Sequence, residues 1–534
     1  MKRIPSFRIM VMALVVGMII GLVGPVVVAT EPTTLVIGLT GDPKSIGPTG
    51  TNNDACVAYR VYSSLTQLDK NGMPAPDLAQ SWEVSSDSLT YTFHLNPMAK
   101  FHDGTPVTSE DVKFSILEVA NALVSHATQG LIPSIDSIET PDEHTVVFHL
   151  SRVFPEIFDG RYGLGPRCSM VLKKADWEGT DYFTNPFNLK PIGSGPFKFV
   201  EWVKGSHIVL ERWDNYWGEK TEIEKVVFRV ITDPTAMSLS FENGEVDYVP
   251  HAIVSSDVER LNSLPGKEAL FHGTMCGDTV SVRFNLRKEM FQDITLRRAF
   301  AYAINRERIP GLVYYGGATA TPGYVNRTAF SAWWYNPHAI QAPYDPEMAK
   351  TLLDKAGYPV GADGWRFHTT IVYGTNFPED AYVAELVKAD LANVEIDAKL
   401  ISLDYAAWVD STFVNWDFDL TLSSTCTGPA PTALGRYTSS NIIPVAWAND
   451  MGFSNFEYDE LFKRQGAEPD KEKRLAYLYR MQEIMVEQEP GVFLVQRGAA
   501  SAWNSGKFVA EPEELWKEGL GYYMMHLTGV RPAR

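Results

Sequence analysis

Strands and capped helices alternate along this sequence, and that alternation predicts an α/β fold. One stretch shows both parts of the pattern. Leu89, Tyr91, Phe93 and Leu95 alternate with Thr90, Thr92 and His94, the period of two that marks a half-buried strand. Val112, Ile116, Val119 and Leu123 then recur on one helical face, behind a Thr108-Ser109-Glu110-Asp111 segment that fits a capping box. Between them Asn96-Pro97 ends the strand, because proline lacks an N–H and fixes its own φ. Phe101-His102-Asp103-Gly104 makes a tight turn in which Gly104 is free to take positive φ. His102 and Asp103 also suggest a metal or acid–base pair. Neighbours in extended chain point apart, however, and turn chemistry accounts for both.

The remaining elements follow in order. Thr34-Leu35-Val36-Ile37-Gly38-Leu39 reads as a first strand. A loop over residues 41–54, rich in Gly, Pro, Asn and Asp, follows it. Loops after central strands often carry ligand contacts in α/β proteins, which makes Asn52 and Asn53 candidates; a plain surface connection explains the composition equally well. Val146, Phe148 and Leu150 alternate as another strand. Pro191-Ile192-Gly193-Ser194-Gly195-Pro196-Phe197 is a turn entering a strand over 197–202; Ser194 lacks the G-x-S-x-G spacing of a nucleophile elbow. Val226 to Val230 reads as a buried strand, 235–242 as a helix, and Asn243-Gly244-Glu245-Val246-Asp247 as a turn.

Later helices are amphipathic. Thr295 is the expected cap of one with Leu296, Ala299, Phe300, Ala303 and Ile304 on a face. Asp345-Pro346-Glu347 opens a second, lined by Ala349, Leu352, Leu353 and Ala356 and ended by Gly357. Val383, Leu386, Val387, Leu391 and Val394 form a third, leading into a strand over 395–402. A fourth spans about 470–488 and stops at Pro490-Gly491. No internal repeat or low-complexity linker interrupts these elements.

Composition narrows the class. The 534 residues suffice for about three structural units. Lys and Arg number 47 against 65 Asp and Glu, a net charge of −18, which disfavours nonspecific binding to nucleic acid. Lys2, Arg3 and Arg8 precede an uncharged run over 9–29, so residues 1–29 are expected to be a signal peptide cleaved near Ala29, or else a retained anchor. No cysteine is present there to carry a lipid. Cys56, Cys168, Cys276 and Cys426 are widely spaced, which argues against structural zinc and C-x-x-C redox chemistry and leaves three disulfide pairings open.

Four blocks in the first part, Ala79-Gln80-Ser81-Trp82, Tyr91-Thr92-Phe93, Lys100-Phe101-His102-Asp103-Gly104 and Glu110-Asp111-Val112, together resemble family 5 of the extracellular solute-binding proteins. These are the peptide and nickel type receptors of ABC importers. The Gly193-to-Phe197 and Asn243-to-Asp247 segments are similar to the family too. The resemblance implies a two-lobed periplasmic-binding-protein fold of type II with an additional small domain. Lobe I would comprise 30–60, 191–281 and 496–534, the small domain 61–190, and lobe II 282–495. It further implies capture of a small solute in an interlobar cleft, closure of the lobes, and delivery to the permease subunits of an ABC importer outside the cytoplasmic membrane. A monomer is expected, with no cofactor, no metal and no catalytic residue.

For the cleft, residues 417–437 are the leading candidate. Phe418, Leu420 and Leu422 alternate as a strand, and a polar loop with Cys426, Thr427 and Gly428 follows at its carboxyl end. Peptide-binding relatives carry an aspartate in this loop for the ligand's α-ammonium; Thr427 stands at the matching position, and no acid occurs from Leu420 to Asn449. The loop with Tyr373 and Asn376 falls where dipeptide receptors have an arginine for the ligand carboxylate, and here it has none. Arg436 is the one strong cation near the cleft loop, either a partner for an anionic group or a surface arginine. Trp333, Trp334, Trp447 and Trp503 lie in poorly periodic stretches. Each either packs in the core or offers a ring to a ligand, and Trp503 is kept as a site candidate.

H-E-x-x-H, G-x-S-x-G, G-x-G-x-x-G and P-loop frames are all missing, which fits a binder. By family habit the ligand is an oligopeptide. An oligosaccharide is the alternative, and an exported hydrolase the reading of a different class. Thr427 in place of an acid predicts a ligand without a positive end group.

Overall fold

The computed structural model describes residues 33–47, 52–69, 73–120, 131–158, 164, 169–250, 252–273, 278–327, 331–375, 377–425, 430–511 and 527–533. The expected targeting segment therefore lies outside the described residues. Among those described, no helix is long and apolar enough to cross a membrane.

The architecture is mixed α/β, built on one twelve-stranded sheet. Ten of its strands run in the order Ile396–Leu403, Phe367–Gly374, Leu420–Thr425, Thr279–Phe284, Gly491–Trp503, Tyr248–Val249, Thr34–Leu39, Lys225–Val230, His207–Arg212, Phe197–Val203, and Glu268–Gly273 and Ala318–Ala320 pair with Gly491–Trp503 off this path. The long strand Gly491–Trp503 holds the two ends together. Its first part pairs with Thr279–Phe284 and its second with Glu268–Gly273, so two antiparallel stretches cross the middle side by side. At the crossing Gly498 faces Gly273, and a Cβ on Gly498 would lie 2.4 Å from the Gly317 carbonyl oxygen. Glycine is needed there because three backbones meet.

A separate antiparallel sheet orders Ala79–Val84, Thr90–Leu95, Thr145–Leu150 and Ile135–Asp142. Phe93, Phe148 and Val112 are buried in its core. The helix against it opens as its sequence suggests: Asp111 Oδ2 accepts from the Thr108 N–H at 2.9 Å and its hydroxyl at 2.8 Å. After Phe114 the helix widens into a π turn over Ser115–Ala120.

Two of the recognised blocks turn out to be one joint. His102 Nδ1 accepts from the Gly193 N–H at 3.2 Å, so the ring proton sits on Nε2 and donates to the Gly195 carbonyl at 2.9 Å. Burial holds the ring neutral, lowering its pKa to about 4. Gly193 and Gly195 lie against the end of the helix Asn52–Val61: the Gly195 N–H donates to the Val61 carbonyl at 2.8 Å. A Cβ on Gly193 would stand 2.0 Å from that same oxygen. Trp217 Nε1 donates to the Ser194 carbonyl at 3.0 Å, and the Ser194 hydroxyl is buried. Asp103 turns the other way, accepting from Thr105 and pairing with Lys173. The block is architecture, as turn chemistry implies.

Three boundaries differ from the sequence reading. The cap of the helix Ile294–Ala303 is Asp293, whose Oδ1 accepts from the Thr295 N–H at 2.7 Å; Thr295 is already inside the helix. The third helix begins at Pro378, a turn before its apolar stripe, because proline tolerates the first turn. Asn52 and Asn53 start a helix rather than end a loop.

Candidate ligand site at the strand ends

The strands Phe367–Gly374, Ile396–Leu403 and Leu420–Thr425 run parallel, so their carboxyl ends lie together. Open α/β sheets place ligands at such an edge. Leu420–Thr425 reads apolar-polar, yet both its faces are largely buried. The register explains this. Thr425 pairs with Thr279, Ser423 with Ser281 and Thr421 with Arg283, giving a buried face of hydroxyls around one guanidinium. Arg283 is held there by Asp450, Nη1 to Oδ2 2.7 Å, with both side chains fully buried. Its Nε donates to Ser281 Oγ at 3.1 Å, and its Nη2 to Thr425 Oγ1. The Tyr437 hydroxyl reaches the same Thr425 oxygen at 2.8 Å.

Above this face lies the 3₁₀ helix Pro431–Tyr437, which carries Arg436. Its Nε and Nη2 are shut off from solvent and neither has a hydrogen-bond partner. The guanidinium carbon lies 5.5 Å from the Trp447 ring centroid and 5.8 Å from that of Phe413. Desolvation pulls the Arg436 pKa down, and the nearby Arg283 adds to the pull. Asp450 Oδ1 and the Ser423 hydroxyl are likewise buried without partners.

The same segment touches the smaller sheet's neighbourhood. Thr432 donates its N–H to Glu156 Oε1 at 3.1 Å and its hydroxyl to Oε2, while Arg474 Nη2 pairs with Oε1. Ala430 packs in the core that contains Phe93 and Phe148. Glu156 and Arg474 are both buried. No sequence signal joins these residues, since the pair is 318 positions apart.

The expected site residues divide among several places. Arg436 is at the strand ends. Tyr373 is half-buried near the end of Phe367–Gly374, packed on the core beneath. Asn52 and Asn53 open the helix Asn52–Val61, and their side chains are outside the described residues. Asn376, Cys426, Thr427 and Gly428 also lie outside the described residues, as do Cys168 and Cys276, while Cys56 is buried. Trp503 is placed elsewhere: it is buried in the core beside Tyr248, and its N–H donates to the Phe508 carbonyl at 3.1 Å. Trp334 is fully buried too, and Trp333 lies beneath Arg474 at 5.4 Å. Of these four tryptophans Trp447 alone is exposed, at 41%.

The model of the bacterial extracellular solute-binding proteins, family 5, matches residues 73–442. The chain belongs to that family. Its members are substrate-binding receptors that deliver small ligands to ABC permeases, and this chain is such an extracytoplasmic receptor. It is 27% identical over 511 residues to the dipeptide-binding protein of Escherichia coli, covering 88% of this chain and 90% of that one. It is also 27% identical over 516 residues to di/tripeptide-binding protein 1 of Pseudomonas aeruginosa, with coverage of 88% and 90%. Among solved structures, an ABC transporter substrate-binding protein of Listeria monocytogenes superposes with a TM-score of 0.79 at 23% identity, covering 94% of this chain and 100% of that one. The oligopeptide-binding protein of Bacillus subtilis with a nonapeptide gives 0.72 at 23%, with coverage of 94% and 100%. A periplasmic binding protein with agropinic acid, from A. tumefaciens, gives 0.70 at 25%, covering 94% and 99%. The shared fold is that of type II periplasmic binding proteins.

Proposed function

We propose that this family 5 receptor captures a small polar solute lacking a positive end group, between two lobes that close about Gly273 and Gly498. It acts outside the cytoplasmic membrane as a monomer and returns its ligand chemically unchanged. One observation carries the reading: Thr432, in the short helix that follows the strand Leu420–Thr425, donates to Glu156, which also pairs with Arg474 318 positions away, so parts of the chain assigned here to different sides meet beside the strand ends. A solute seated there gains contacts on both sides only when they meet, which shifts the equilibrium toward closure.

The relatives' ligands set the range. They include dipeptides, a nonapeptide and agropinic acid. Thr427 offers a hydroxyl where peptide receptors hold an acid, so an oligopeptide with a blocked amino end, or an oligosaccharide, suits the loop better than a free dipeptide.

Mass spectrometry of the molecule that co-purifies with the protein tests this directly. Calorimetry should show one site, and a ligand at a hundred times its Kd should add about 2.7 kcal/mol of stability. Closure should shrink the radius of gyration, and Glu156→Gln should lessen that shrinkage. Submicromolar binding of a free dipeptide, or a ligand consumed by the protein, would overturn the reading.

A further inference from the structure

We propose that Arg436 receives an anionic group of the solute, a carboxylate, with Trp447 and Phe413 as the apolar walls of its seat. The inference rests on the receptor reading and adds the sign of the ligand's charge. A guanidinium withdrawn from water is tolerated when it is paired. Arg283 shows how this fold pairs one: Asp450 lies 2.7 Å away and hydroxyls take further donors. Among the described residues no acid forms an ion pair or hydrogen bond with Arg436: Asp450 is close enough for its charge to act on the guanidinium, but its Oδ2 is committed to Arg283.

The unpartnered atoms matter. Nε and Nη2 are the two donors along one edge of the guanidinium plane, the edge that grips both oxygens of a carboxylate at once. The flanking rings of Phe413 and Trp447 supply no hydrogen-bond acceptor that would satisfy these donors. Arg436 stands on the same short helix, Pro431–Tyr437, whose first turn makes the Thr432–Glu156 contact.

The full chain, labelled with ¹⁵N-arginine, is titrated with acetate and with the neutral isostere acetamide, and Arg436→Gln assigns the Nε–H resonance. That resonance should move saturably with acetate and stay in place with acetamide. No movement, or equal movement with both, overturns the proposal. Two acid–neutral pairs then separate the carboxylate's source: N-acetyl-trialanine against its amide, and galacturonate against galactose. In the pair that binds, the acid should be preferred at least tenfold, and Arg436→Gln should abolish the preference. Should that variant misfold, Arg436→Lys, which keeps the charge but not the flat edge, should weaken the acid and leave its neutral partner unchanged. Stoichiometric binding of a neutral member, undiminished in either variant, would leave the receptor standing and remove the role of Arg436.

Discussion

Two buried polar clusters in this molecule, an imidazole held by backbone and a set of charged and hydroxyl side chains, differ in how far their donors and acceptors are used. At the His102 joint each ring nitrogen has a partner, Gly193 N–H on one side and the Gly195 carbonyl on the other. Behind Leu420–Thr425, Arg283 is satisfied, but Arg436, Asp450 Oδ1 and Ser423 Oγ are left with unused hydrogen-bonding capacity. Satisfied clusters hold architecture, because a missing partner inside a protein costs more than the bond contributes. Unsatisfied groups lower stability and are found elsewhere too, the Ser194 hydroxyl beside the His102 joint among them; what sets the second cluster apart is a guanidinium with two buried donors left open. The contrast sets the His102 joint, built from two of the family's recognisable blocks, apart from the cluster proposed above to meet the solute.

The sharpest way to break this comparison is to remove each arginine of the second cluster in turn. Arg283→Met strands the buried carboxylate of Asp450 and should cost about 3–5 kcal/mol in urea unfolding. Arg436→Met removes a cation whose buried Nε and Nη2 have no hydrogen-bond partner and should leave the ligand-free protein about as stable as before. Equal losses from both would mean that Arg436 is structural.

The first cluster should answer to pH. The folded value of His102, about 4, lies below its ordinary 6.5, so the unfolded chain binds the proton first as pH falls. The contribution of the neutral ring is complete above about 6.5 and is lost on the way down to pH 4, a change of up to about 3 kcal/mol. Denaturation series over that window, compared between wild type and His102→Gln, should differ in slope with that sign. A pH-independent difference would place the ring in a less buried state.

Gly193→Ala is a smaller perturbation of the same joint. The added Cβ would fall 2.0 Å from the Val61 carbonyl oxygen, so the end of the helix Asn52–Val61 must give way. Overpacking of this kind costs about 1–3 kcal/mol, read from the melting curve. The smallest effect is expected from Thr295→Ala. Asp293 is the cap, and the substitution should change stability by about 0.5 kcal/mol or less.

Local rules account for what the sequence determined alone. The strand Thr34–Leu39, the capped helices at Ser109, Pro346 and Lys471, and the turn at Gly104 each depend on a handful of neighbouring residues. Proline geometry, hydroxyl and carboxylate caps and apolar period act over those distances. The family itself was legible for a related reason: its four blocks are short local pieces, two on strands, one a turn with Gly104 at positive φ and one a capped helix start. Cap position at Asp293 was missed because two plausible caps stand side by side, and backbone geometry chose between them.

Tertiary structure decided the rest. Pairing Thr279–Phe284 with Leu420–Thr425 is what buries Thr421, Ser423 and Thr425, residues whose polarity alone pointed outward. Trp503 and Trp447 sat in equally aperiodic stretches, yet one fills a core beside Tyr248 and the other stands 41% exposed beside Arg436. Glu156 meets Arg474 across 318 positions. Charge, burial and partner are properties of a place in space, and a chain long enough to fold back on itself many times does not write that place into any local pattern.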